Sequence, residues 1–146
     1  MTVITKDAEV FEGDYVVVAM PPVSVNRIAF LPKLSERREM INQKNFMGAI
    51  IKILVLYEER FWKGKGFSGE TLSDCIDSPV FNAYDDSRPK GNGEVQPALV
   101  VFVNGAVARY WGQKENLQQR TLEKLAQYFG EKALSPLEVH VQDWSR

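Results

Sequence analysis

The strongest strand in the sequence is Ala49–Tyr57, AIIKILVLY. Its β-branched and aliphatic residues favour a strand, and the run is long enough to cross a sheet. Strand alternation divides it into two faces, one with Ile50, Lys52, Leu54 and Leu56 and the other with Ile51, Ile53, Val55 and Tyr57. The polar interruption is therefore a lysine in the middle of an apolar face.

Lys52 has two interpretations. A lysine within an apolar face loses hydration and needs an acceptor or an ordered water, as a functional lysine would have. The ordinary alternative is an outer strand from which the lysine stem runs along the face until the ammonium group reaches solvent. The pattern alone favours the ordinary strand lysine.

Further segments predict an α+β protein with a mixed β-sheet flanked by helices. The first 19 residues predict a β-hairpin, with one strand at Thr2–Thr5 and a second that runs from Val10-Phe11 through a bend at Gly13 to Tyr15–Ala19. The other predicted strands around Ala49–Tyr57 are Gly69–Leu72, Val80–Tyr84, Leu99–Val103 and Val139–Trp144. The predicted helices are Ser35–Lys44, Asn104–Trp111 and Glu115–Phe129, the last with an apolar stripe and a terminating glycine. The valine-rich run Tyr15–Ala19 indicates a strand buried on both faces, which Pro21 and Pro22 end.

Composition excludes several classes of protein. The chain has 146 residues, 45% of them hydrophobic, and 18 basic against 19 acidic residues give a net charge of −1. This size suits one domain, and the charge balance gives no general attraction to nucleic acid or to anionic membranes. One cysteine, Cys75, and one histidine, His140, exclude an internal disulfide and a Cys/His zinc site, and no metal is expected. No apolar run approaches the about 20 residues of a membrane helix, and no secretory signal pattern opens the sequence.

Common catalytic templates are also missing from the sequence, including GxGxxG, GxxxxGK(S/T), HExxH and GxSxG. His140 lies in an alternating segment that is typical of an ordinary strand histidine. The acidic pair Asp85-Asp86 lies in a turn-rich loop, where such pairs are mostly structural.

Six segments in order carry a resemblance to a known family. They are Tyr15–Pro22 (YVVVAMPP), Arg27–Phe30 (RIAF), Gly48–Tyr57 (GAIIKILVLY), Phe61-Trp62, Asp85–Asn92 (DDSRPKGN) and Asp143-Trp144. Together they closely resemble the flavin monoamine oxidase family, whose pattern includes Ala-x-Pro-Pro, G-x-x-I-K and a following Phe-Trp. The resemblance extends over essentially the whole chain.

The resemblance implies a two-lobed enzyme with FAD as cofactor. Residues 1–41 resemble a returning segment of the FAD-binding lobe, and 42–146 resemble the second part of the substrate-binding lobe. The intact enzyme would deaminate an amine oxidatively, with O₂ as the oxidant and H₂O₂ as a product.

The same resemblance implies roles for individual residues. Lys52 corresponds to the lysine that holds a water in front of flavin N5, and Trp144 to an aromatic residue beside that lysine and the flavin. The backbone of Ala19, Met20 and Pro21 lies close to the cofactor in such enzymes. The residues that correspond to the lining of the amine cavity are Leu72, Asn82, Tyr84 and Phe102.

Two of these cavity residues depart from the animal monoamine oxidases. Those enzymes have a bulky hydrophobic or aromatic side chain where Asn82 stands and are usually aliphatic where Tyr84 stands. The identity of the amine therefore cannot be carried over.

The sequence has no GxGxxG segment to hold the FAD pyrophosphate, so we expect a fragment that is inactive by itself. Surfaces left open by truncation predict self-association. One alternative is a free-standing α+β binding module that derives from the substrate lobe. Another is a fragment of a polyamine or L-amino-acid oxidase, although the latter needs a carboxylate-binding arginine and no clear candidate is present.

Overall fold

The computed structural model describes residues 1–73 and 77–144. Residues 74–76, which include Cys75, and residues 145–146 lie outside the described part of the chain. Contacts between residues divide the chain into two compact units, Met1–Met47 and Gly48–Arg146. The boundary between these two units lies six residues after the lobe boundary that the sequence predicts at 41/42.

The first unit contains a hairpin and two helices. Its elements are β1 (Thr2–Ile4), β2 (Val10–Glu12), α1 (Pro22–Val25) and α2 (Glu36–Lys44). Strands β1 and β2 pair antiparallel, as the sequence predicts for these residues. Helix α1 begins at a proline, whose fixed φ suits a first helical position. The Asn26 side-chain amide donates to the Asn42 carbonyl at 3.1 Å and so joins the end of α1 to α2.

The prediction of a buried strand over Tyr15–Ala19 is wrong. These residues form no strand, and Tyr15 and Val17 are 90% and 87% exposed. A strand needs a neighbouring strand for its backbone N–H and C=O groups, and no strand in the described residues pairs with this run. The apolar pattern of Tyr15–Ala19 therefore does not predict whether another strand pairs with this run.

The second unit contains the sheet. Its strands are β3 (Ile50–Leu56), β4 (Thr71–Leu72), β5 (Asn82–Asp85), β6 (Arg88–Pro89), β7 (Val95–Gln96), β8 (Ala98–Asn104) and β9 (Glu138–Asp143). Its helices are α3 (Phe61–Gly64), α4 (Gly105–Trp111) and α5 (Leu117–Phe129), followed by a 3-10 turn over Glu131–Leu134.

Five strands form one sheet in the order β4-β5-β8-β3-β9, and β6 pairs with β7 in a separate hairpin. The α+β class is therefore confirmed. Each pairing within the five-stranded sheet is antiparallel, whereas a mixed sheet was expected. For β5 and β8 the reason is the connection, because the chain between them forms the β6–β7 hairpin and contains no crossover helix that would return it in parallel.

The hydrophobic core lies on one face of this sheet. Ile51, Ile53 and Val55 of β3 are fully buried and pack in one cluster with Leu125 and Phe129 of α5. The other face of β3 carries Ile50, Lys52, Leu54 and Leu56, which remain half-buried or exposed, so the predicted alternation is confirmed.

Helix ends follow local chemistry. Asn104 is the last residue of β8, so the helix predicted from Asn104 begins one residue later. Helix α5 ends at Phe129, and Gly130 follows with φ of +104°, a conformation that L side chains rarely adopt.

Among the described residues, none of the helices has the length and apolar character that a membrane crossing requires.

Candidate functional site

A row of directly paired residues crosses all five strands of the sheet. From edge to edge its members are Leu72, Asn82, Phe102, Lys52 and Gln142. Directly paired residues project from the same face, with Cβ atoms about 4.5–5.5 Å apart. This row lies on the face opposite the core, which we call the open face. The register thus brings together four residues that the sequence assigned to a site and adds Gln142.

A second row lies beside the first on the open face. It consists of Tyr84, Val100, Leu54 and His140, paired across β5, β8, β3 and β9. Tyr84 is therefore the diagonal neighbour of Phe102, close enough for their two rings to touch. His140 is exposed and lies 2.8 Å from the Glu138 carboxylate, in keeping with an ordinary strand histidine.

The side chains of the two rows form a chain of contacts. The Asn82 amide nitrogen donates to the Tyr84 hydroxyl at 3.0 Å. The Tyr84 and Phe102 rings meet edge to face, with centroids 6.4 Å apart. The Lys52 ammonium lies 6.0 Å from the Phe102 ring centroid, within the range of a cation–π contact. The arrangement links a polar pair on β5 to the lysine on β3 through one aromatic ring.

The side chain of Lys52 is half-buried. Within residues 1–73 and 77–144 its ammonium group makes no hydrogen bond or ion pair. An ammonium group has three donors, and a partly desolvated one needs acceptors. The open face therefore presents donors that suit a bound water or a ligand acceptor.

Asn82 also has an unused polar atom. Its side-chain oxygen is buried and accepts no hydrogen bond from the described residues. Since its nitrogen already donates to Tyr84, the amide is anchored at one end only. The open face thus offers both donors and an acceptor beside aromatic surface.

Trp144 lies beside this site at the end of β9. Its backbone N–H donates to the Ile50 carbonyl at 2.9 Å, and its side chain is 53% exposed. Alternation from Gln142 carries the indole to the open face. The structure therefore places Trp144 on the same face as Lys52, one pair along the strands.

The three residues Ala19, Met20 and Pro21 belong to the first unit. Met20 is 44% exposed, and Pro21 immediately precedes α1 with extended backbone. They are not part of the row on the sheet.

Asp85 supports the strand that carries Asn82 and Tyr84. Its carboxylate accepts from the Trp62 indole N–H and from the Ser87 backbone N–H, both at 3.0 Å, and Lys63 lies 3.5 Å away. Partial burial raises the pKa of Asp85, but the Ser87 and Trp62 hydrogen bonds and the Lys63 charge outweigh it, so this pKa lies below its ordinary value. Asp85 ends strand β5 and does not lie in the predicted turn, but its contacts are those of a structural residue, as the sequence predicts for the Asp85-Asp86 pair.

Gln142 is the site residue that sequence reasoning missed. The alternating run Val139–Trp144 placed His140 and Gln142 on one face, which was the available signal. The pairing of β9 with β3 makes Gln142 the direct neighbour of Lys52, and neither segment alone predicts that pairing.

No cluster of three or more His, Cys, Asp or Glu side chains suited to a metal occurs in the part of the chain that the structure describes.

Fold and site together define an α+β protein that carries a lysine and aromatic residues on the sheet face opposite its core. The chain matches the family described as flavin containing amine oxidoreductase over residues 1–146. It therefore belongs to this family, whose members are flavin-containing, and the resemblance stated from the sequence is confirmed.

Curated relatives of the chain are flavin-containing amine oxidases. The chain is 35% identical over 137 residues to probable flavin-containing monoamine oxidase A of Dictyostelium discoideum. This alignment covers 92% of the chain and 29% of that protein. The chain is 33% identical over 143 residues to flavin-containing amine oxidase A of Equus caballus, with 96% and 27% covered. The chain thus spans under a third of the length of these relatives.

Solved structures of similar fold include wild-type putrescine oxidase bound to putrescine, with a TM-score of 0.85 and 28% identity over 98% of this chain and 31% of that one. Cyclohexylamine oxidase from Brevibacterium oxydans IH-35A has a TM-score of 0.74 and 26% identity, over 92% and 31%.

Proposed function

We propose that the open face lines the amine site of a longer FAD-dependent amine oxidase. Such an enzyme converts an amine to an imine, and O₂ becomes H₂O₂. The observation that carries the proposal is the row through Lys52. Its half-buried ammonium group makes no hydrogen bond or ion pair with the described residues and stands beside Phe102 and near Trp144. A bound flavin would supply the hydride acceptor.

The residues of the row suit a flavin and an amine by their chemistry. Lys52 offers donors that can hold a water against an acceptor nitrogen of the cofactor. Trp144 and Phe102 offer aromatic faces to planar or apolar groups. Leu72 at the edge of the row is exposed and supplies apolar lining. These groups orient reactants and exclude water, and the cofactor carries the redox chemistry.

We further propose that residues 1–41 are a returning part of the FAD-binding lobe, with the backbone of Ala19, Met20 and Pro21 near the cofactor. Residues 42–146 would be the second part of the substrate-binding lobe. Support comes from the match over the whole chain and from its coverage of 29% of a curated relative. On this proposal the 146 residues alone neither hold FAD stoichiometrically nor turn over.

The polarity of the residues that line the site decides which amine it accepts. Putrescine oxidase and cyclohexylamine oxidase, by their names, act on amines of different polarity. The Asn82–Tyr84 pair makes this part of the cavity polar. We propose a simple amine as the substrate class.

The first test concerns the lysine. In the longer enzyme, replacement of Lys52 by Met should lower the rate of flavin reduction by amine about 100-fold or more, the scale of a lost positioning or proton-transfer group. Lys33→Met is the matched control, because Lys33 is an exposed lysine of the first unit. Anaerobic stopped-flow absorbance gives the rate, and unchanged flavin reduction in the Lys52 variant would contradict the proposal.

The second test concerns the chain alone. Purified 146-residue protein is mixed with FAD, gel-filtered, and assayed for flavin absorbance and for peroxide from benzylamine. We expect substoichiometric flavin and no sustained peroxide. Stoichiometric flavin with sustained turnover would show that these residues suffice.

A further inference from the structure

The sequence contains two Asn-Gly pairs, Asn92-Gly93 and Asn104-Gly105. An asparagine before glycine is chemically labile, because glycine has no Cβ to hinder attack of its backbone nitrogen on the asparagine side chain. The two pairs are identical as dipeptides, so differences between them must come from the structure.

Asn92-Gly93 occupies the connection between β6 and β7. Both residues are exposed, and nothing lies within 4 Å of the position that a Cβ of Gly93 would take. The Glu94 backbone N–H donates to the Asn92 side-chain oxygen at 3.1 Å. This bond places a donor on the side-chain oxygen that would gain negative charge during attack by the Gly93 nitrogen.

We propose that Asn92 is a site of spontaneous deamidation in the folded protein. The Gly93 nitrogen attacks Asn92 Cγ, so that an N–Cγ bond forms and the Cγ–Nδ2 bond breaks. The Gly93 amide proton leaves with the side-chain amide as ammonia, and a cyclic imide remains. Water then opens the imide at either carbonyl to give aspartate or isoaspartate, with no change in oxidation state.

The bonds that restrain the Asn92 pair are local. The Gly93 N–H donates to the Lys90 carbonyl at 3.0 Å, and the Lys90 N–H donates to the Glu94 carbonyl at 2.6 Å. These bonds close a short exposed loop and involve no core residue. Opening them to free the Gly93 nitrogen therefore costs little, as for other exposed local turns.

The Asn104 pair is restrained by the central sheet. The Gly105 N–H donates to the Ala49 carbonyl at 2.8 Å, and Asn104 is paired with Ile50 where β8 meets β3. Freeing the Gly105 nitrogen requires the ends of the two central strands to separate. The fold thus protects one Asn-Gly pair and leaves the other reactive.

The product would alter the hairpin. Either outcome adds a negative charge beside the Lys90–Glu94 ion pair, whose charged atoms are 3.9 Å apart. Isoaspartate also inserts a methylene group into the backbone, which changes the register of a connection that joins strands only two residues long. The modification would therefore affect the β6–β7 hairpin and leave the row through Lys52 in place.

The test is a time course of the folded protein in mildly alkaline buffer at physiological temperature, followed by peptide mass spectrometry and isoaspartate methylation. We expect conversion at Asn92 to be at least about tenfold faster than at Asn104, which corresponds to about 1.4 kcal/mol of difference in opening. In strong denaturant the two sites should convert at similar rates.

Two variants complete the design. Asn92→Gln should abolish the fast conversion, because the longer side chain forms its ring slowly, and Asn104→Gln should leave it unchanged. Equal rates at the two asparagines in the folded protein, or survival of Asn92 as amide for as long as Asn104, would overturn the proposal. The result does not depend on flavin binding or on amine oxidation.

Discussion

Asp85 shows how one carboxylate connects separate segments of the sheet unit. It accepts from Trp62 on α3 and from Ser87 after β5, while Gly69 approaches so closely that an added Cβ would meet Asp85 Cβ at 2.8 Å. Gly69 also has φ of +90°, so no other residue fits there without strain. The Phe-Trp and Asp-Asp motifs of the sequence are thus parts of one contact.

We predict that Asp85→Ala lowers the free energy of unfolding by about 1–3 kcal/mol, because the buried Trp62 indole N–H loses its acceptor. Asp86→Ala is the matched control. Asp86 pairs with Arg88, whose side chain is largely exposed, so its loss should cost at most about 1 kcal/mol. Urea unfolding measures both, and equal effects of the two variants would refute the role of Asp85.

Asp85 also predicts a pH dependence. Its pKa in the folded protein lies below the ordinary value of about 3.9, so its contribution to stability is fully present well above pH 4. As the pH falls, the unfolded chain takes up the proton first, and the contribution is lost once the folded carboxyl is protonated as well. The stability difference between wild type and Asp85→Asn should therefore shrink with acidification. A difference that stays constant in acid would contradict this assignment.

At the scale of an element, strand β3 has one buried face and one partly exposed face. Ile53 is fully buried in the core face, and Ile50 on the open face is 38% exposed. We predict that Ile53→Ala costs about 2–5 kcal/mol through lost burial and a residual cavity, and that Ile50→Ala costs clearly less. Chemical denaturation of both variants measures the difference. A larger cost for Ile50 would mean that the open face, and not the other, is the core.

The end of α5 gives a second prediction for an element. Gly130 has φ of +104°, and the position of its missing Cβ is taken by the Lys65 ammonium group. Gly130→Ala should therefore destabilise by about 1–2 kcal/mol from backbone strain, with the Lys65 contact displaced. Gly64→Ala is the control, since Gly64 is helical and nothing lies within 4 Å of its added Cβ. That change should be neutral or slightly stabilising in a thermal melt.

At the scale of the molecule, the core cluster lies wholly within the second unit. Its buried members run from Ala49 to Ala133, and all five strands of the sheet fall in the same unit. We predict that a chain starting at Gly48 keeps a cooperative unfolding transition and near-native strand content. Circular dichroism during denaturation measures both. Loss of the transition would mean that Met1–Met47 completes the core.

The first unit, by contrast, leaves large apolar side chains such as Tyr15, Val17 and Leu31 exposed. Self-association through these side chains stays a prediction, which light scattering across concentrations measures. Removal of residues 1–47 should then reduce the association.

The class of fold, the alternation of β3 and the extent of α5 are largely predictable from the sequence, because periodicity and helix termination are local properties. The motifs also identify the family, and they single out Lys52 as a candidate site residue. That Tyr15–Ala19 is unpaired and that Gln142 stands beside Lys52 follows from the tertiary structure alone. Strand pairing joins residues far apart in the chain, so a segment's own pattern tells which face it buries but not which strand it meets.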